Sequence, residues 1–249
     1  VQLLQPDAIV NAAAYTAVDK AESEPELAHT INATAVGVLA QQAQALGALL
    51  VHYSTDYVFD GSGQQPWSAD DSTGPLNVYG HSKLAGEQQI RASGAAHLIF
   101  RTSWVYAARG GNFAKTMLRL AQERDALNVI NDQWGAPTGA ELIADVTAHA
   151  VRQYLVGDTA CTGTYHLAAS GETSWHGYAQ HVLAQAQRQD VALRVAPEAV
   201  AAIPSSAYPV PAQRPANSRL DTTRLQQVFG LALPPWQQGV DRMLQEILA

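Results

Sequence analysis

Short apolar runs alternate with stretches of helical spacing, and this alternation constrains the fold more than any other feature of the chain. Asp7 to Asn11 (DAIVN), bounded by Pro6 and an Ala-rich turn, reads as a buried strand. Leu27, Ile31, Ala35, Val38, Leu39 and Leu46 then recur at helical spacing, with Gly47 as the stop. Ala48 to Thr55 (ALLVHYST) is continuously apolar at its start, as a strand covered on both faces must be. A loop rich in Gly, Asp, Ser and Pro runs from Asp56 to Asn77, followed by a helix over about 79–93 and a strand over His97 to Tyr106 (HLIFRTSWVY). Helices near 112–125 and 140–155 and strands at Leu127 to Ile130 and Thr164 to Ala168 continue the pattern. Strand and helix in alternation predict an α/β, doubly wound parallel sheet. After Pro197 the prolines at 204, 209, 211 and 215 break the chain, and two short helices close it as a smaller capping region.

Composition removes whole classes of function. With 22 acidic and 15 basic residues the formal charge is −7, the wrong sign for a nucleic-acid binder working through phosphates. The longest apolar run, Ala45 to Val51, falls far short of the roughly 18 residues of a membrane span, and no basic segment precedes an apolar one at the start. The single cysteine, Cys161, forms no internal disulfide, and the eight histidines show no metal-ligand spacing. The expectation is a protein of the cytoplasm with no nucleic-acid or membrane partner.

Ligands of a parallel α/β sheet sit at the carboxyl ends of its strands. There the sequence offers Ser54-Thr55-Asp56-Tyr57, Arg101-Thr102-Ser103-Trp104 and a helix opening Tyr79-Gly80-His81-Ser82-Lys83. Tyr79 and Lys83 are four apart and share a helical face. A lysine beside a phenol pulls its pKa down, which fits Tyr79 for proton donation near neutral pH, and the Thr55 hydroxyl could bind the oxygen that Tyr79 protonates. With nine tyrosines and three lysines in 249 residues, chance supplies about 0.1 such pairs, so the context carries the reading: a preceding strand end and a long loop that leaves the helix start open.

These residues, with NAAAYTAVDKAES (11–23), HYSTDYVFDG (52–61), PLNVYGHSKLAGE (75–87), FRTSWVY (100–106), NFAKTMLRLA (112–121), INDQWGAPTGAEL (130–142) and RPANSRLDT (214–222), resemble the extended short-chain dehydrogenase/reductases, in the branch that reduces sugar-nucleotide ketones. The resemblance covers essentially the whole chain. It implies a Rossmann-type NAD(P)-binding domain over 1–110 and about 126–168, and a sugar-nucleotide region over about 111–125 and 169–249. It also implies NADPH-dependent, or NADH-dependent, reduction of the C4 ketone of a dTDP-linked 6-deoxyhexose, with Tyr79 as proton donor, Lys83 as its partner and Thr55 as carbonyl-polarising hydroxyl. Ala14, Tyr15, Thr16, Tyr53, Tyr79 and Lys83 would lie along the cofactor. Thr55, Asp56, Trp104, Asn112, Arg214, Asn217 and Ser218 would face the substrate, with Gln133 of the same grade.

Bland readings stand beside several of these. Asp56 serves equally as an Asx-turn, Trp104 as core, and the Arg214 loop as solvated surface. Some members bind a divalent cation at a dimer interface, and Glu141 and Glu246 align with two of its glutamates, so Mg²⁺ and a homodimer are further expectations. Similar 4,6-dehydratases carry Asp-Glu after the threonine, because eliminating water needs an acid and a base; here Asp56 precedes Tyr57, which favours simple reduction over dehydratase or epimerase chemistry. Relatives that act as non-catalytic regulatory subunits of methionine adenosyltransferase are a further alternative, disfavoured by the intact Thr55, Tyr79 and Lys83.

The glycine-rich turn that receives a pyrophosphate in this family is not in the sequence; Gly61-Ser62-Gly63 and Gly110-Gly111 lack its spacing. In the family it belongs to an earlier strand, so the expectation is that the chain, which opens at Val1 in what reads as a helix end, is a piece of a longer product. The run Asp7 to Asn11 should then show an unpaired edge.

Overall fold

The computed structural model describes residues 1–248. Its strands are β1 (Ala8–Asn11), β2 (Leu49–Thr55), β3 (His97–Thr102), β4 (Val105–Tyr106), β5 (Asn128–Ile130), β6 (Trp134–Gly135), β7 (Thr138–Gly139), β8 (Gly163–His166), β9 (Thr173–Ser174) and β10 (Ala201–Ile203). The helices are α1 (Val18–Ala21), α2 (Pro25–His29), α3 (Ala35–Leu46), α4 (Val78–Ser93), α5 (Phe113–Glu123), α6 (Ala140–Leu155), α7 (Trp175–Arg188), α8 (Thr223–Phe229) and α9 (Trp236–Leu248).

Four strands in the order β1-β2-β3-β8 form the parallel sheet that the apolar runs predict. Leu50, Ile99 and Ile90 pack with Val36, Ala40 and Ala43 between one face of the sheet and α3 and α4. Leu49, Val51, Leu98 and Phe100 pack on the other face with Ile143 and Val146 of α6 and Leu225 and Phe229 of α8. Burial on both faces is why β2 carries no polar alternation at its start. A third cluster joins α5, α7 and α9 through Met117, Leu118, Val182, Leu183, Trp236 and Val240.

Three local features differ from the sequence reading. The run His97 to Tyr106 is two strands: Trp104 adopts a left-handed φ of 49°, and beyond it β4 leaves the sheet to pair with β7. The strand at 128–130 pairs with β10 rather than extending the sheet. The first long helix is interrupted by a π-helical turn at Thr30–Thr34. Residues 1–5 form a hydrogen-bonded turn, in which Val1 O accepts from Leu4 and Gln5 N–H. β1 is an edge strand paired with β2 alone, and Val10 is 49% exposed.

Candidate active site

β2 and α4 bring the catalytic candidates together. Thr55 ends β2; its hydroxyl accepts from Tyr57 N–H at 3.2 Å and donates to Asp56 Oδ1 at 3.0 Å. Asn77 caps α4, its Oδ1 accepting from Gly80 N–H at 2.8 Å while its amide donates to Gln213 O at 2.7 Å. The cap starts the helix at Val78, which places Tyr79 and Lys83 one above the other at the strand ends. Gly80 permits this approach, because a Cβ there would stand 2.3 Å from Tyr57 O. The Tyr79 ring meets Tyr57 edge-on at 5.5 Å, and the Thr55 hydroxyl lies near the Tyr79 phenol.

The electrostatics reverse one expectation. Burial pushes the Tyr79 phenol up to about 12, with the nearby Thr55 hydroxyl drawing it back and Asp56 raising it further. Lys83 does not depress it, because its Nζ turns to Tyr53 O at 2.6 Å and to His52 Nε2 at 3.3 Å. Burial brings Lys83 itself down to about 8, partly offset by Glu87. Burial pushes Asp56 up to about 6, against the nearby Ser218 hydroxyl and the hydrogen bond from Thr55, and its Oδ2 has no partner. The site therefore holds a phenol that stays protonated at neutral pH, a hydroxyl beside it, a buried amine and an unpaired carboxylate oxygen.

The remaining candidates divide. Ala14 and Thr16 are exposed in the segment leaving β1. Tyr15 is pinned by Asn32, which accepts from its N–H at 2.8 Å and donates to its carbonyl at 3.0 Å, while the Tyr15 hydroxyl donates to Glu24. The Tyr53 carbonyl serves Lys83 and its hydroxyl contacts Thr147 Oγ1 at 3.0 Å. Trp104 stacks on Trp175, with centroids 3.7 Å apart. Asn112 caps α5 and Gln133 accepts from Trp175 Nε1, so both side chains have structural partners. Asn217 donates its amide hydrogens to Ser62 O and Gln65 O and holds its own loop. Ser218 is buried beside Asp56.

Arg214 forms a two-pronged pair with Asp19, at 3.0 and 2.7 Å, and lies near the Tyr57 side chain; it ties its loop to α1. Glu141 and Glu246 lie on the wall of one cavity of about 550 Å³ between α6 and α9, where Glu141 pairs with Arg242 at 3.5 Å. Among the described residues no three His, Cys, Asp or Glu side chains form a metal-binding group.

Sequence reasoning missed Trp175, Asp19 and His52. Trp175 opens α7, and its signal was the Ser174 cap ahead of an aromatic. Asp19 meets Arg214 across 195 residues, a separation no local pattern reveals. His52 is the one strongly polar residue in the apolar half of β2, and that misfit was its signal.

A family model described as RmlD substrate binding domain matches residues 1–249. The chain is 59% identical over 247 residues to dTDP-4-dehydrorhamnose reductase of Escherichia coli (strain K12), covering 99% of this chain and 82% of that protein. To the enzyme of the same name from Burkholderia thailandensis it is 48% identical over 248 residues, covering 98% and 83%. Among solved structures, dTDP-4-dehydrorhamnose reductase of Bacillus anthracis in complex with NADP superposes with a TM-score of 0.88 at 34% identity, covering 98% of this chain and 82% of that one. The family match along the full length, together with the tyrosine, lysine and threonine gathered at the strand ends, establishes that this chain belongs to the RmlD substrate binding domain family.

Proposed function

We propose that this protein is an oxidoreductase that reduces the C4 ketone of dTDP-4-dehydro-L-rhamnose to the alcohol of dTDP-L-rhamnose, with NADPH as reductant. The observation that carries the reading is the protonated Tyr79 phenol beside the Thr55 hydroxyl at the carboxyl end of β2, in a chain 59% identical to a reductase of that name. A nicotinamide fits the donor set: Lys83 is a buried amine with hydrogens to spare beside Tyr79, and the small, exposed Ala12, Ala13 and Ala14 leave the end of β1 open to a flat ligand. Bound NADPH supplies the hydride.

The residues of the chain do the rest. Thr55 hydrogen-bonds the carbonyl oxygen and holds it against Tyr79. Negative charge grows on that oxygen as C4 is reduced, and Tyr79 gives it the phenolic proton. A phenol near 12 is still protonated when the ketone arrives and is acidic enough to protonate an alkoxide. Lys83, whose Nζ rests on Tyr53 O and His52 Nε2 in this structure, would turn toward the phenolate that results and stabilise it. Asp56, with one free oxygen, is placed to accept a sugar hydroxyl. The Trp104–Trp175 stack offers an apolar wall for a deoxysugar. A homodimer belongs to the same proposal; for Mg²⁺ the residues do not fit, since Glu141 pairs with Arg242 and among the described residues Glu141 and Glu246 join no group of metal-binding side chains.

The test uses NADPH with deuterium at the transferable position. Deuterium at C4 of the sugar and one NADPH oxidised per product are expected. Folded protein that binds NADPH and leaves the ketone unchanged would overturn the assignment.

A further inference from the structure

His52 is buried in β2 and has no part in the chemistry above, yet its ring bridges two elements. Nδ1 lies 3.1 Å from the Asn11 amide nitrogen at the end of β1, and Nε2 lies 3.3 Å from Lys83 Nζ in α4. Burial first, then the nearby Lys83, brings the imidazole down to about 3 against the pull of Glu87. The ring is therefore neutral, and one nitrogen donates while the other accepts.

The Asn11 amide decides which is which. Its Oδ1 accepts from Ala13 N–H at 3.2 Å, so its nitrogen faces His52 and donates to Nδ1. Nδ1 is then bare, the ring proton sits on Nε2, and that N–H points at Lys83. An ammonium has no lone pair to receive it, whereas a neutral amine does. When Lys83 is charged the arrangement must invert: Nε2 is bare, Nδ1 carries the proton, and the amide turns over to accept it. Ala13 N–H is then released to water, which reaches this exposed turn. The same heavy atoms thus support two hydrogen arrangements, one for each charge state of the lysine.

We propose that His52 is a positioning residue that couples the charge of Lys83 to its own tautomer and to the orientation of the Asn11 amide. When Lys83 loses a proton, the ammonium passes one hydrogen to Nε2, Nδ1 releases its hydrogen to water at the end of β1, and Asn11 turns to donate to Nδ1. One proton leaves, and the reverse sequence restores it. The charged groups facing the pair are Glu87 from α4, which favours the ammonium, and Arg101 of β3, which reaches it through Glu87; Asn11 from β1 is neutral. The inference rests on Lys83 as the partner of Tyr79, and adds a route by which the lysine recovers its proton behind a bound substrate.

The test is a titration of the protein without substrate or cofactor, with carbon-13 at the lysine ε position and nitrogen-15 in histidine. Lysines occur only at 20, 83 and 115, so Lys83→Arg identifies the resonance. The two His52 nitrogen shifts should exchange donor and acceptor character at the same midpoint as Lys83. In Asn11→Asp the carboxylate can only accept, which fixes the proton on Nδ1 and the lysine as ammonium; the Lys83 midpoint should rise by about one unit, tenfold in proton affinity, or more. In Asn11→Asp/His52→Leu that rise should fall by more than half. A His52 tautomer that stays constant through the Lys83 titration overturns the proposal, as does an Asn11→Asp shift that survives loss of the imidazole. The wild-type reading stands even if a variant fails to fold, and none of these results bears on the deuterium test of the reduction.

Discussion

Replacing Glu87 by Gln keeps the volume of the side chain and removes its charge. In the folded protein Glu87 is fully buried in α4, one turn beyond Lys83, and its oxygens accept four hydrogen bonds: from Ser54 Oγ at 2.6 Å, Arg101 Nε at 2.9 Å, Arg101 Nη2 at 2.8 Å and Arg91 Nη1 at 3.0 Å. The two arginines differ in what they lose. Arg91 is 40% exposed and water replaces its partner, so that pair counts for little. The Arg101 side chain is 4% exposed, and its charge is left where water does not reach. Breaking one side of such a buried pair costs about 3–5 kcal/mol. At about 2–4 °C per kcal/mol for a chain of this size, Tm should fall by roughly 6–20 °C. Arg101 holds the Glu87 carboxyl below its ordinary range against the opposing effect of burial, so its contribution is present above the unfolded pKa and is lost as pH falls through the folded value. The gap between wild type and Glu87→Gln should therefore be widest near neutrality and close in acid. Thermal denaturation by circular dichroism across that pH range reads both effects. A fall in Tm under about 3 °C at neutral pH, or a gap that is the same in acid, would refute the reasoning.

Gly80→Ala places a Cβ 2.3 Å from the Tyr57 carbonyl oxygen, so the start of α4 must move away from the end of β2. The Tyr79–Thr55 alignment should suffer, with kcat down by about tenfold or more and cofactor affinity little changed; a normal kcat would show that the helix start tolerates the shift. Asp56 has its folded pKa raised from 3.8 to about 6, so the stability linked to its protonated form is present below the unfolded value and lost as pH rises through about 6. Asp56→Asn should gain on the wild type by up to about 3 kcal/mol across that window in denaturant titrations, and a constant difference would mean the carboxyl is not perturbed. Trp175→Ala removes the ring stacked on Trp104 and should raise KM for the sugar nucleotide by roughly tenfold while kcat holds; an unchanged KM would take the aromatic wall out of the substrate site.

Much of this was legible before the fold was known. The apolar runs of β2 and β3 and the helical spacing that ends in α3 gave the parallel sheet, because burial on both faces leaves a continuous signal. The four-residue spacing of Tyr79 and Lys83 gave their shared face. The break at Trp104 was not legible, since HLIFRTSWVY reads as one unbroken strand and nothing local marks the left-handed φ at Trp104, whose ring lies close over Gly135. The pKa of Tyr79 was read in the wrong direction because spacing shows that Lys83 shares its face but not where the ammonium points, and here it points into the sheet. Asn112, Arg214 and Asn217, expected to face substrate, also hold a cap, an ion pair and a loop tie, partners that no local sequence pattern reveals.

In the proposed reaction the Tyr79 phenol protonates the reduced oxygen, and the kcat of Tyr79→Phe with dTDP-4-dehydro-L-rhamnose and NADPH tests this most directly. Removing one hydroxyl leaves the ring, its contact with Tyr57 and the fold in place. The prediction is a fall in kcat of at least ~100-fold, with NADPH affinity within about twofold of wild type. A kcat close to that of the wild type would contradict it.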